Sequence, residues 1–170
     1  MLLPLLNPGG APALVVGVPS PALTETVARV AARMGLRRAF VFHGSDGLDE
    51  ITNTGPTELA EVAEGVIRKY RIQPGDFGFP AASLADLRGD GAVESAEIIR
   101  AVLAGEPGPR RHVVLLNAAP AIVCGGKAGS LAEGIHVAAE SIDSAKALAV
   151  LRKLAELRAP DRGQTSAAHP

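Results

Sequence analysis

Two uninterrupted apolar runs dominate the first quarter of the chain. Residues 13–18, ALVVGV, and 38–43, RAFVFH, lack the alternation of a strand with one wet face. Each therefore reads as a strand covered on both sides. Between them Leu23, Val27, Val30 and Met34 recur at helical spacing. Ser20 suits the N-cap, Pro21 the first helical position, and Gly35 the stop. Strand, helix and strand with short connections predict a βαβ unit, with parallel strands and a right-handed crossover.

From Thr57 the pattern alternates, with Glu64-Gly65 at its middle, and predicts a β-hairpin over roughly 57–63 and 66–72. Residues 73–83 read as loop, and 84–92 as a short turn or helix. Residues 93–106 form an amphipathic helix with Ile98, Ile99, Val102 and Leu103 facing inward. After a loop at 107–111, residues 112–126 are ambiguous: the start looks like a strand, while length and alanine content favour a buried helix kinked at Pro120. Ser130 and Glu133 make a capping box that starts another helix, and Asp143 or Ser144 starts the last. Residues 1–12 are broken by Pro4, Pro8, Gly9, Gly10 and Pro12 and read as irregular; 159–170 read as a disordered tail. The expectation is one α/β domain over 1–158: a mostly parallel sheet flanked by helices, with a β-hairpin.

Composition narrows the partners. With aromatics at 3%, the core must be built from Val, Leu, Ile and Ala. A net charge of −1, from 17 basic and 18 acidic residues, leaves no electrostatic footprint for nucleic acid or an anionic membrane. No apolar run nears the ~20 residues that span a bilayer. The N-terminus is apolar but short, is interrupted by Pro4 and lacks a basic region, which is a poor signal peptide. The lone Cys124 excludes an internal disulfide and suits a reducing, cytoplasmic setting.

The candidate chemistry follows the second strand. The stretch HGSDGLDEI, residues 43–51, holds three acids among glycines. In open α/β sheets ligands bind beyond the carboxyl ends of strands, so Asp46, Asp49 and Glu50 stand where a site would be. Turn capping or plain solvation would also explain them, and turn capping is the reading for Asp46. Asn53, Thr54 and Thr57 read as part of a turn around Gly55-Pro56. His43, His112, His136 and His169 read as structural or solvated. Lys127 in GGKAG lacks P-loop spacing. Arg110 and Arg111 read as a solvated or helix-flanking pair, and Cys124 as a buried apolar residue.

Several segments together resemble one family: PLLNPGG, VVGVPSPAL, VFHGSDGLDEITNTGPT, DFGF, LRGDGAVESAEIIRAVLAGEPGPRRHVVLLNAA and GKAGSLAEGIHVAAESIDSAKAL. Over nearly all of residues 4–150 the chain resembles the carboxy-terminal half of the anthranilate phosphoribosyltransferases. The resemblance implies a nucleoside phosphorylase-like α/β domain of a glycosyltransferase. It implies transfer of phosphoribose from phosphoribosyl pyrophosphate to anthranilate in tryptophan biosynthesis, with Mg2+ as cofactor. It also implies that Asp49 and Glu50, in the GLDE motif, bind one magnesium ion. Magnesium prefers oxygen ligands and is usually held by one or two carboxylates plus substrate phosphates, which fits adjacent acids. A phosphorylase activity fits them less well.

The departures from the family are equally specific. Its glycine-rich GTGGD loop, its KHGN segment, its anthranilate-contacting arginine and its N-terminal helical domain have no counterpart here. The expectation is therefore a part of the enzyme, incomplete alone, with no catalytic residue and no substrate-binding residue assigned. A complementary N-terminal chain or self-association would cover its open edges. A truncated gene, an alternative start and one half of a split enzyme all fit the sequence, as does a non-catalytic fragment acting in assembly.

Overall fold

The computed structural model describes residue 5 and residues 9–157. The tail expected at 159–170 lies outside the described residues, as does most of the irregular start. The strands are β1 (Ala13–Gly17), β2 (Arg38–Gly44), β3 (Thr57–Ala63) and β4 (Val66–Ile72). The helices are α1 (Ala22–Arg33), α2 (Leu84–Leu87), α3 (Gly91–Leu103), α4 (Pro109–Cys124), α5 (Leu131–Asp143) and α6 (Lys146–Glu156).

The sheet order is β1-β2-β3-β4. The βαβ unit forms as expected: β1 and β2 pair in parallel, with Ala13 opposite Arg38, and α1 crosses between them. The hairpin also forms, with Ala63 opposite Val66 and positive φ at Glu64 and Gly65. Both turn residues are left-handed, which suits the twist of a tight hairpin.

The expectation of a mostly parallel sheet is corrected, because β2 pairs β3 antiparallel and the sheet is mixed. A parallel return needs a crossover of a dozen or more residues, usually helical. Residues 45–56 hold no helix, so β3 comes straight back along β2.

Helices cover both faces of this sheet. On β2, Ala39 and Val41 join the cluster with Val27, Ala28 and Ala31 of α1. Phe40 and Phe42 point the other way, to Leu116, Val123 and Cys124 of α4. That division explains the uninterrupted apolar run of β2. A third cluster, Val102, Leu115, Ala138 and Ile142, joins α3, α4 and α5.

Several local expectations shift. The face of α1 is rotated: Thr24, Val27, Ala28 and Ala31 are buried, while Val30 and Met34 are 38% and 49% exposed. Ser20 does not cap α1, whose N-cap is Pro21. On α3, Ile99 faces out at 51% exposure. The ambiguous stretch is indeed helical, and α4 begins earlier than expected, at Pro109, with Pro120 buried inside it. Ser130 caps α5 by accepting from the Glu133 N–H, whereas α6 starts after a left-handed Ala145 rather than at Asp143 or Ser144. Among the described residues no helix is long and apolar enough to cross a membrane.

Candidate metal-binding loop

The loop of residues 45–56 connects β2 to β3 at the carboxyl ends of the parallel pair, where the sequence placed a site. Its first turn closes through Gly47 N–H donating to Gly44 O and Gly44 N–H donating to Leu48 O, at 3.0 and 2.8 Å. Ser45 N–H donates to Pro56 O at 2.9 Å and draws the two ends of the loop together.

Asp46 organises the interior. Its Oδ1 accepts from Leu48 N–H at 3.1 Å, and its Oδ2 accepts from the hydroxyls of Thr52 and Thr54 at 2.5 and 2.7 Å. Burial pushes the Asp46 carboxyl up, but these hydroxyls and the backbone amides of Leu48 and Asp46 outweigh it and hold the group below the usual range. Asp46 is thus the turn-capping acid that the sequence suggested. Thr57 Oγ1 accepts from Thr52 N–H at 3.1 Å. Asn53, Thr54 and Thr57 all bond within the loop or to its supports, in agreement with the turn reading.

Asp49 and Glu50 differ from Asp46 in being exposed. Burial, and then the neighbouring Asp49 charge, raise the Glu50 carboxyl above its ordinary range. Two adjacent carboxylates that disfavour each other's charge match the donor set of a cation site. Among the described residues no cluster of three or more His, Cys, Asp or Glu side chains could hold a metal. The pair therefore fits an ion that takes its remaining ligands from substrate and water, as Mg2+ does.

The backbone beneath the acids is packed tightly. A Cβ added at Gly17, the last residue of β1, would lie 1.7 Å from Asp49 O. Only a glycine at the end of β1 lets the loop lie this close. From the far side Asn117 of α4 reaches across: its Oδ1 accepts from Ile51 N–H at 2.9 Å and its Nδ2 donates to Ile51 O at 2.8 Å. Asn53, fully buried, donates to Pro109 O at 2.8 Å. Sequence reasoning missed both anchors. The available signal was a single asparagine, Asn117, within the apolar stretch LLNAA.

The other singled-out residues lie apart from the acids. His43 Nδ1 donates to Val18 O at 2.8 Å and ties β2 to the end of β1, a structural role. His112 stacks on Phe79 with ring centroids 4.4 Å apart; burial and the Arg111 charge lower its pKa. His136 pairs with Glu140 on the surface, and His169 lies outside the described residues. Arg110 donates to Asp86 O and Arg88 O, and Arg111 pairs with Asp143 at 2.8 Å. Lys127 N–H closes the end of α4 on Ile122 O. The Cys124 thiol is buried, which pushes it up to about 11. A cavity of about 220 Å³ between Asp86, Val102 and Arg111 does not border the acids.

Residues 1–148 match the family model described as glycosyl transferase family, a/b domain. The chain belongs to this glycosyl transferase family. Among curated relatives, an anthranilate phosphoribosyltransferase of Moorella thermoacetica is 52% identical over 154 residues, covering 91% of this chain and 45% of the relative. The crystal structure of anthranilate phosphoribosyltransferase from Thermus thermophilus superposes with a TM-score of 0.81 at 38% identity, covering 92% of this chain and 46% of that one. The Saccharomyces cerevisiae anthranilate phosphoribosyltransferase in complex with PRPP and Mg has a TM-score of 0.70 at 29% identity, covering 82% and 41%. The chain thus spans a little under half the length of the family members it matches, and corresponds to their carboxy-terminal part.

Proposed function

We propose that this chain is the part of an anthranilate phosphoribosyltransferase that presents Asp49 and Glu50 to magnesium. The observation that carries the reading is a tightly strapped loop, at the carboxyl ends of a parallel strand pair, with two adjacent exposed acids at its outer side. The names of the relatives supply the reaction: phosphoribosyl transfer from phosphoribosyl pyrophosphate to anthranilate. The yeast complex with PRPP and Mg supports the cofactor.

Bound there, Mg2+ would offset charge on the leaving pyrophosphate. The residues of this chain do the rest by position. Asp49 and Glu50 supply anionic oxygens, and Gly17 and Asn117 fix the backbone that carries them. Such catalysis rests on charge stabilisation and needs no covalent nucleophile. The acceptor site and phosphate loop would come from a complementary N-terminal chain, so this chain is incomplete alone. The cytoplasm is the compartment this reading implies, and the unpaired, buried thiol of Cys124 suits it.

Calorimetric titration of the full chain with MgCl2, in the presence of pyrophosphate, tests the metal site. A binding heat that disappears in Asp49→Asn/Glu50→Gln is the expected result. An unchanged heat in that double variant would sink the assignment.

A second reading, a non-catalytic assembly module, is favoured by one observation. Val150, Leu154 and Leu157 leave an apolar face at 57%, 61% and 78% exposure. A stable complex with a second chain, without turnover in the presence of all substrates, would distinguish it.

A further inference from the structure

Asn117 makes a contact of unusual form. It is placed on α4, 66 residues from Ile51 along the chain, yet its carboxamide pairs with both the N–H and the C=O of that one residue. The same Nδ2 also donates to Val113 O at 2.9 Å, one turn back in the helix, which fixes the rotamer. Two bonds to one residue hold its backbone in position and in rotation, as a single bond would not. The Ile51 side chain, 1% exposed, is driven into the cluster of Phe42, Leu59 and Leu116. Glu50 is the residue before Ile51, so the clamp begins at the peptide joining them. On the other side, the Asp49 carbonyl rests against Gly17.

We infer that Asn117 is a positioning residue for the Asp49–Glu50 carboxylates, holding their backbone between α4 and the end of β1 so that both face one cation. This rests on the reading of those acids as metal ligands. The physical ground is that groups behind a metal ligand fix its orientation, and losing one typically weakens metal affinity by about 10- to 100-fold. Alanine at 117 would leave the Ile51 N–H and C=O without their partner. The acids would stay in the chain but no longer share one fixed geometry.

The test uses amide hydrogen exchange and Mn2+ titration of the full chain, with line broadening at residues 49 and 50 as the metal signal. Ile51 N–H, although in a loop, should be protected in the unsubstituted chain. Asn117→Ala should exchange it at least about tenfold faster and raise the Mn2+ dissociation constant about tenfold. Ile142→Val, a core change away from the loop, controls for stability and should leave both readouts unchanged. Asn117→Asp keeps the acceptor for Ile51 N–H but not the donor to Ile51 O, so it should fall between.

Faster exchange with unaltered Mn2+ affinity would reduce Asn117 to a structural tie and overturn the inference. So would an unprotected Ile51 amide in the unsubstituted chain, a result that stands even if Asn117→Ala does not fold. If Mn2+ never broadens residues 49 and 50 while Ile51 stays protected, the ligand reading fails and takes the positioning role with it, but the clamp stands.

Discussion

Asp46 does the organising within its loop, while Asp49 and Glu50 remain free to act outward. The three acids differ in what surrounds them, which composition cannot reveal. Asp46 receives two hydroxyls and a backbone amide, so its folded carboxyl titrates below the unfolded value of 3.8. The sign follows from linkage: its stabilisation is fully present above the unfolded pKa and is lost as pH falls through the folded one. Asp46→Ala should therefore lower stability at neutral pH by about 1–3 kcal/mol, because Thr52 and Thr54 lose their acceptor. The difference from the unsubstituted chain should shrink on acidification below the carboxylate range. Thermal melts at pH 7 and pH 3 check this; a deficit independent of pH would contradict it. At this scale the sequence showed where the acids lie. It could not show Asn117, because a side chain that closes on a backbone 66 positions away leaves no local pattern.

Elements were legible wherever one residue pattern decided them. The run in β2 announced cover on both faces, and alternation about Glu64-Gly65 announced the hairpin. Two readings failed for identifiable reasons. The face of α1 was read from its large residues, whereas small Ala28 and Ala31 let the helix lie close to the sheet and carry Val30 and Met34 outward. The parallel sheet was extrapolated from one βαβ unit, and a connection without a helix reversed the next strand. One prediction belongs here, where β1 meets the loop. Gly17→Ala forces a methyl into Asp49 O, so the strand end and the loop must separate. Overpacking of this kind costs about 1–3 kcal/mol. A lower denaturation midpoint should accompany weaker Mg2+ binding; unaltered binding would mean that this approach does not set the acids.

Taken whole, the molecule carries apolar surface that its own elements do not cover. Met34 on α1 and Val150, Leu154 and Leu157 around α6 are the larger examples. In addition β1, at the end of the sheet, is half-buried along its whole length although it reads as a strand meant to be covered on both faces. Such patches favour association. Sedimentation velocity should show concentration-dependent association of the isolated chain, reduced in Val150→Glu/Leu154→Glu. A monomer at all concentrations, with one cooperative melt, would contradict this.

The central claim is that the acids of this chain serve phosphoribosyl transfer, and that the chain cannot do so alone. Loss of anthranilate fluorescence in the presence of PRPP and Mg2+ tests it most directly. The chain should be measured alone and then mixed with the amino-terminal part of the Moorella thermoacetica relative. The account predicts no turnover by the chain alone, turnover in the mixture, and loss of that turnover in Asp49→Asn/Glu50→Gln. Turnover by this chain alone, or an undiminished rate with the double variant in the mixture, would contradict it.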